Sequence, residues 1–184
     1  MMDPLSPLRR IALGALFVAL GILIPVMFHA VGLGSVFLPM HIPILMCGFF
    51  CGPAVGFTVG FVTPLLSAVF TGMPPLMPPV AQGMMLELAT YGLVTALLYQ
   101  RTKLGVYPVL ILAMGAGRLV YGLLGFSLLP LFGLQKIHPL FPLTYGLLRG
   151  IPGVVIQLLL IPTVVSLMER SPHVLFVKTR RTMS

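Results

Sequence analysis

The chain has 184 residues, 58% of them hydrophobic and only 8% charged, with a net charge of +8. A soluble domain carries about 25% charged residues, so this composition excludes a water-soluble domain and makes the chain integral to a membrane. The apolar runs are continuous rather than alternating, which points to helical spans rather than a β-barrel.

The positive charge does not form a nucleic-acid patch. Arg9, Arg10, Arg101, Lys103, Arg170, Lys178, Arg180 and Arg181 sit at the ends of apolar runs, the pattern of cytoplasmic anchors. No small-residue cleavage site follows the first run, so a cleaved signal peptide is not expected. Cys47 and Cys51 lie four apart in an apolar run without accompanying ligands; they read as buried small hydrophobes rather than a disulfide or a metal site.

The first span is expected at about 10–28, a length that crosses a bilayer, with Pro4 and Pro7 discouraging helix before Arg9. Ala12, Ala15 and Ala19 share one of its faces. Small residues at that spacing let another helix approach closely, whether of this chain or of another protein. A glycine-containing connection, 29–39, follows. The second and third spans, about 40–51 and 54–70, meet at Cys51-Gly52-Pro53 and carry Pro43, Gly56, Gly60 and Pro64, so neither reads as a straight rod. The remaining spans are expected at about 79–99, 105–129 and 143–168. They are followed by a basic cytoplasmic tail, 169–184. Six spans place every basic cluster on one side, whereas five would put two clusters outside. The expectation is therefore a single all-α membrane domain with six transmembrane helices and both termini cytoplasmic. The segments 29–39, 72–78 and 130–142 are apolar and rich in proline and glycine; they read as lids over a cavity that opens outward.

Three ionisable residues lie inside the spans: Glu87, Arg118 and Arg149. At about 1.5 Å rise per residue they fall roughly 9–15 Å from the outer ends of their helices, in one layer. Intramembrane charges mark functional sites by default. Two arginines against one carboxylate leave a positive charge that suits an anionic ligand, because the guanidinium fork matches a carboxylate. Two other readings stay open: Glu87 held in a structural ion pair with one arginine, and Glu87 as the proton site of an ion-coupled carrier. Gln82, Tyr91, Tyr121 and Tyr145 lie near the layer, as does Gln157, and could complete a pocket. His41 sits at the outer mouth and, as a lone histidine, reads more readily as a satisfied structural group. There is no P-loop, no metal-ligand spacing and no catalytic constellation, so neither a cofactor, a metal nor an enzyme activity is expected.

The segments MHIPILMCGFFCGP (40–53), TPLLSAVFTGMPPL (63–76) and ELATYG (87–92), with Ala15-Leu16-Phe17-Val18-Ala19 on the first span, resemble the substrate-binding (S) component of energy-coupling factor (ECF) vitamin transporters. The resemblance covers nearly the whole chain. It implies a subunit of a prokaryotic cell membrane that captures a vitamin from outside. Ala12, Ala15 and Ala19 would then form the face that docks on a transmembrane coupling subunit served by two ATPases. The binding residues implied by position are Glu87, Arg118, Arg149, Tyr91, Tyr121, Tyr145, Gln82 and His41. The likeness is to a branch that includes pantothenate, pyridoxine and folate carriers. The excess arginine favours pantothenate, ahead of a pyridoxine or thiamine-precursor compound and then folate. A proton-coupled carrier using Glu87 and a membrane scaffold remain the alternatives.

Overall fold

The computed structural model describes residues 6–77, 80–131 and 141–170, all helix and connecting turns. In chain order the helices are α1 (Pro7–Ala30), α2 (Gly34–Phe37), α3 (His41–Cys51), α4 (Pro53–Thr71), α5 (Val80–Arg101), α6 (Val106–Leu131) and α7 (Phe141–Arg170). Five of them, all but α2 and α3, are long and apolar enough to cross a membrane. The basic tail beyond Arg170 and the connection 132–140 lie outside the described residues.

Pro7 does not delay the first helix; it begins it. A proline at the first helical position lacks only an N–H that would have no partner there, and its φ is already helical. Ser6 caps the turn, its Oγ accepting from the Arg9 N–H at 3.4 Å.

The second span is corrected in kind. Its boundaries agree with the sequence, but α3 has 11 residues, which at 1.5 Å per residue is about 16 Å, roughly half a hydrocarbon core. The chain makes up the distance with α2 and a break at Leu38, which takes left-handed φ 47°. Such irregular backbone at membrane depth is tolerated where protein surrounds it or a cavity adjoins it. Both hold here. Leu38 packs against α7, where a Cβ on Gly150 would come within 2.6 Å of its Cδ1, and the Phe37 carbonyl leaves no room for a Cβ at Gly153.

The helices alternate in direction. α1 and α4 run together, Gly14 against Val55 and Val59, Gly21 against Thr63. α4 and α5 oppose each other, Gly60 meeting Leu88 and Gly56 meeting Gly92, while α3 runs with α5, Gly48 lying on Gly92. Tyr99 and Glu169, near the C-terminal ends of α5 and α7, are hydrogen-bonded. The start of α1 and the ends of α5 and α7 therefore share one end of the bundle, with Arg10, Arg101 and Lys103 beside them.

Close approach holds these helices together, since lipid tails supply no hydrophobic drive between them. A Cβ on Gly92 would stand 2.1 Å from the Gly56 carbonyl oxygen, and one on Gly60 2.2 Å from that of Leu88. At Gly52, φ 91° lets α3 stop and α4 restart at Pro53 without a connecting loop. α3 is the most enclosed helix: Ile44, Leu45, Cys47 and Phe49 have no exposed surface. Leu16, Leu23, Leu119 and Leu159 are exposed on the outside of the bundle, where a bilayer would receive them.

Candidate functional site

Glu87 lies on the inner face of α5, 1% exposed. Its Oε1 accepts from the Tyr91 hydroxyl at 2.7 Å and is ion-paired with Arg118 Nε of α6 at 3.2 Å. Tyr91 reaches it because residues four apart stack on one helical face. Arg118 reaches it because α5 and α6 approach closely: at Gly117, the residue before Arg118, a Cβ would collide with the Tyr91 ring. α7 enters the same layer at Gly150, where a Cβ would lie 3.6 Å from Arg118 Nη2. The carboxylate and one arginine of the expected layer thus form a largely buried ion pair. Arg149 and Tyr145 are placed on α7, but their side chains lie outside the described residues.

His41 closes the layer from α3. Its ring lies 5.3 Å from that of Tyr91, tilted by 57°, and its Nε2 is 3.9 Å from Glu87 Oε1, beyond hydrogen-bond distance. Neither ring nitrogen has a hydrogen-bond partner, although the residue is 3% exposed. The expectation of a satisfied structural histidine is not what the structure shows.

On its other side His41 lines a cavity of about 550 Å³ at the His29 end of the bundle. Pro25 and His29 of α1 form one wall, and the break Leu38–Met40 a second. Ser67 and Thr71 of α4, Met84 of α5 and the segment Met73–Pro75 complete it. Two of the expected lids, 29–39 and 72–78, therefore contribute its walls; the third, 130–142, falls largely outside the described residues. Side chains tie the Met73–Pro75 segment down. Ser67 Oγ donates to the Met73 carbonyl at 2.7 Å, and Thr71 Oγ1 accepts from the Met73 N–H at 3.2 Å. Gln82, expected at the pocket, serves the same loop instead, donating to the Leu76 carbonyl at 3.1 Å. On α1, His29 Nδ1 donates to the Pro25 carbonyl at 2.8 Å, supplying an acceptor's partner within the last turn.

The other expected site residues are dispersed. Tyr121 packs against Gly83 at the α5–α6 contact. Gln157 is fully buried on α7 with neither amide atom hydrogen-bonded; it lies about 10 Å along the helix from Gly150 and does not line the cavity. Sequence reading missed Ser67, Thr71 and Pro25. The signal for the first two was present: hydroxyls four apart in the last turn of a helix, just before a glycine, are placed to fasten the following loop. No group of three or more metal-ligating side chains occurs among the described residues, and Cys47 and Cys51 are buried free thiols.

Ala12, Ala15 and Ala19 are exposed on α1, whereas Gly14, Phe17, Gly21 and Pro25 form its buried stripe. Among the described residues, the alanine face is not part of the packing of α1.

The family model of the substrate-specific component of ECF transporters matches residues 9–165. No match was found among curated proteins or among solved structures.

Proposed function

Because the chain belongs to the family of substrate-specific components of ECF transporters, we propose that it captures a vitamin-sized molecule in the cavity beside His41 and delivers it by docking on a membrane coupling subunit driven by two ATPases. Family membership makes it a transport subunit rather than an enzyme. The observation that carries the binding role is the cavity itself, whose 550 Å³ lies within the roughly 300–1,000 Å³ usual for small-molecule sites. Two of its walls are short segments between helices, the break at Leu38–Met40 and Met73–Pro75. The basic residues at the opposite end would face the cytoplasm of a prokaryotic cell, so the cavity would open outward.

The exposed alanines support the docking assignment. Three small side chains on one face, unused by the chain's own packing, would let a partner helix approach closely. Pantothenate remains the first vitamin to test. Its aliphatic part suits the proline and methionine walls, its hydroxyls and amide suit the few polar groups, and Arg149 is the candidate partner for its carboxylate. Arg118 is engaged by Glu87, which shifts that role to Arg149. The same pairing makes Glu87 a structural anchor rather than a proton carrier.

Calorimetric titration of the detergent-purified chain, stripped of bound ligand, against pantothenate, pyridoxine, thiamine and folate tests the proposal. Saturable one-to-one binding of one of them is the expected result. A correctly folded chain that binds none would remove the substrate-capture role.

A further inference from the structure

We infer that His41 is the residue that selects the ligand, by hydrogen-bonding an uncharged hydroxyl or amide of it while the proline and methionine walls hold its apolar part. The inference rests on the reading of the cavity as the substrate site, and three observations carry it.

The first is the unmet hydrogen bonding of the ring. His41 is 3% exposed, and both its nitrogens lack a partner. Nε2 lies 3.9 Å from Glu87 Oε1, too far to hydrogen-bond. A buried polar group left without a hydrogen bond costs about 1–3 kcal/mol, a cost that a ligand in the adjoining cavity would offset by bonding the ring. The second is that the neighbouring hydroxyls are occupied. Ser67 donates to the Met73 carbonyl, and Thr71 donates to the Ser67 carbonyl at 2.7 Å; both act in fastening the loop.

The third observation is electrostatic. Behind the imidazole stand Glu87 and Tyr91 of α5 and Arg118 of α6, and the carboxylate is already bonded to the other two. The charges of Glu87 and Arg118 compensate each other at 3.2 Å, so the cluster presents no net charge through the ring. The matching ligand group is one that, like neutral imidazole, both donates and accepts. A hydroxyl or an amide meets that description, and a bare carboxylate does not. The location also makes His41 responsive to occupancy. It is the first residue of α3, just past the break at Leu38, so a ligand bonded to it would link the cavity wall to the α5–α6 layer.

The test compares discrimination, not affinity alone. The full chain is titrated with pantothenate, pyridoxine, thiamine and folate, and then with an analogue of whichever binds that lacks one hydroxyl or amide. Wild type should lose about tenfold or more in affinity for one such analogue. His41→Phe should bind the intact vitamin with a similar loss of about tenfold and should no longer distinguish it from that analogue. His41→Gln, which keeps a donor and an acceptor, should retain the discrimination. A purely packing role would lower the melting temperature of His41→Phe but leave its discrimination intact, and that result overturns the inference while sparing the substrate site. Where His41→Phe fails to fold, His41→Met carries the same comparison. Failure of folded wild type to bind any of the four vitamins overturns the substrate site, and the inference with it.

Discussion

Glu87 is conspicuous in sequence and, in the fold, paired inside the bundle. A carboxylate inside a span reads as functional, yet here it pairs with Arg118, accepts from Tyr91 and is almost wholly enclosed. Removing one partner of a buried pair leaves an uncompensated charge, at a cost of about 3–5 kcal/mol, whereas replacing both with apolar side chains is often close to neutral. Glu87→Leu and Arg118→Met should therefore each lower the melting temperature in detergent sharply, and the double variant should recover most of the loss. If the two losses simply add, the pair is not the unit described here. His41 is the contrary case, read in sequence more readily as a satisfied group, and in the fold left without a hydrogen bond at either ring nitrogen.

At the scale of elements, the glycines of α3, α4 and α5 set how near the helices come. Gly92→Ala places a methyl 2.1 Å from a backbone oxygen that cannot rotate away. The helices must part, at a cost of about 1–3 kcal/mol or more. Ala15→Leu, on the exposed face of α1, should leave the melting temperature of the isolated chain unchanged within about 0.5 kcal/mol. Equal destabilisation by both would mean that the alanine face packs within the chain. The loop after α4 yields a separate expectation. Ser67→Ala removes the bond to the Met73 carbonyl, worth about 1 kcal/mol, and should quicken ligand release about fivefold in stopped-flow dissociation with little change in association. A slowed association with unchanged release would instead place the loop's role in entry.

At the scale of the whole molecule, the proposed binding and docking surfaces are separate. The cavity lies between α1, the α2–α3 break, α4 and α5, whereas Ala12, Ala15 and Ala19 face outward. The two functions should separate by mutation. Ala15→Trp is expected to leave vitamin affinity within about twofold, because the site is untouched, and to abolish ATP-driven uptake in vesicles containing the coupling subunit and its ATPases. Uptake that survives this change would sink the docking face. Ligand should also stabilise the fold by mass action, by about 2.7 kcal/mol at one hundred times Kd, readable as a rise in melting temperature that His41→Phe diminishes at fixed vitamin concentration.

Much of this was legible in the residues themselves. Length, low charge and continuous apolar runs determined a helical membrane domain, because hydrocarbon admits no unsatisfied backbone and therefore few alternatives. Prolines and glycines marked the segments 29–39 and 72–78, residues of which line the cavity. Side-chain spacing brought Tyr91 to Glu87, since that contact lies within one helix. Contacts between helices were beyond its reach. Depth along a helix follows from counting residues, but rotation about the axis and the partner each face meets depend on close approaches such as Gly56 with Gly92. Only the tertiary structure decided that Arg118 is engaged by Glu87, that α3 is a half-length helix preceded by a break at Leu38, and that His41 lies without a hydrogen bond between the ion pair and the cavity. Each of those depends on where several helices converge, which no single run of sequence contains.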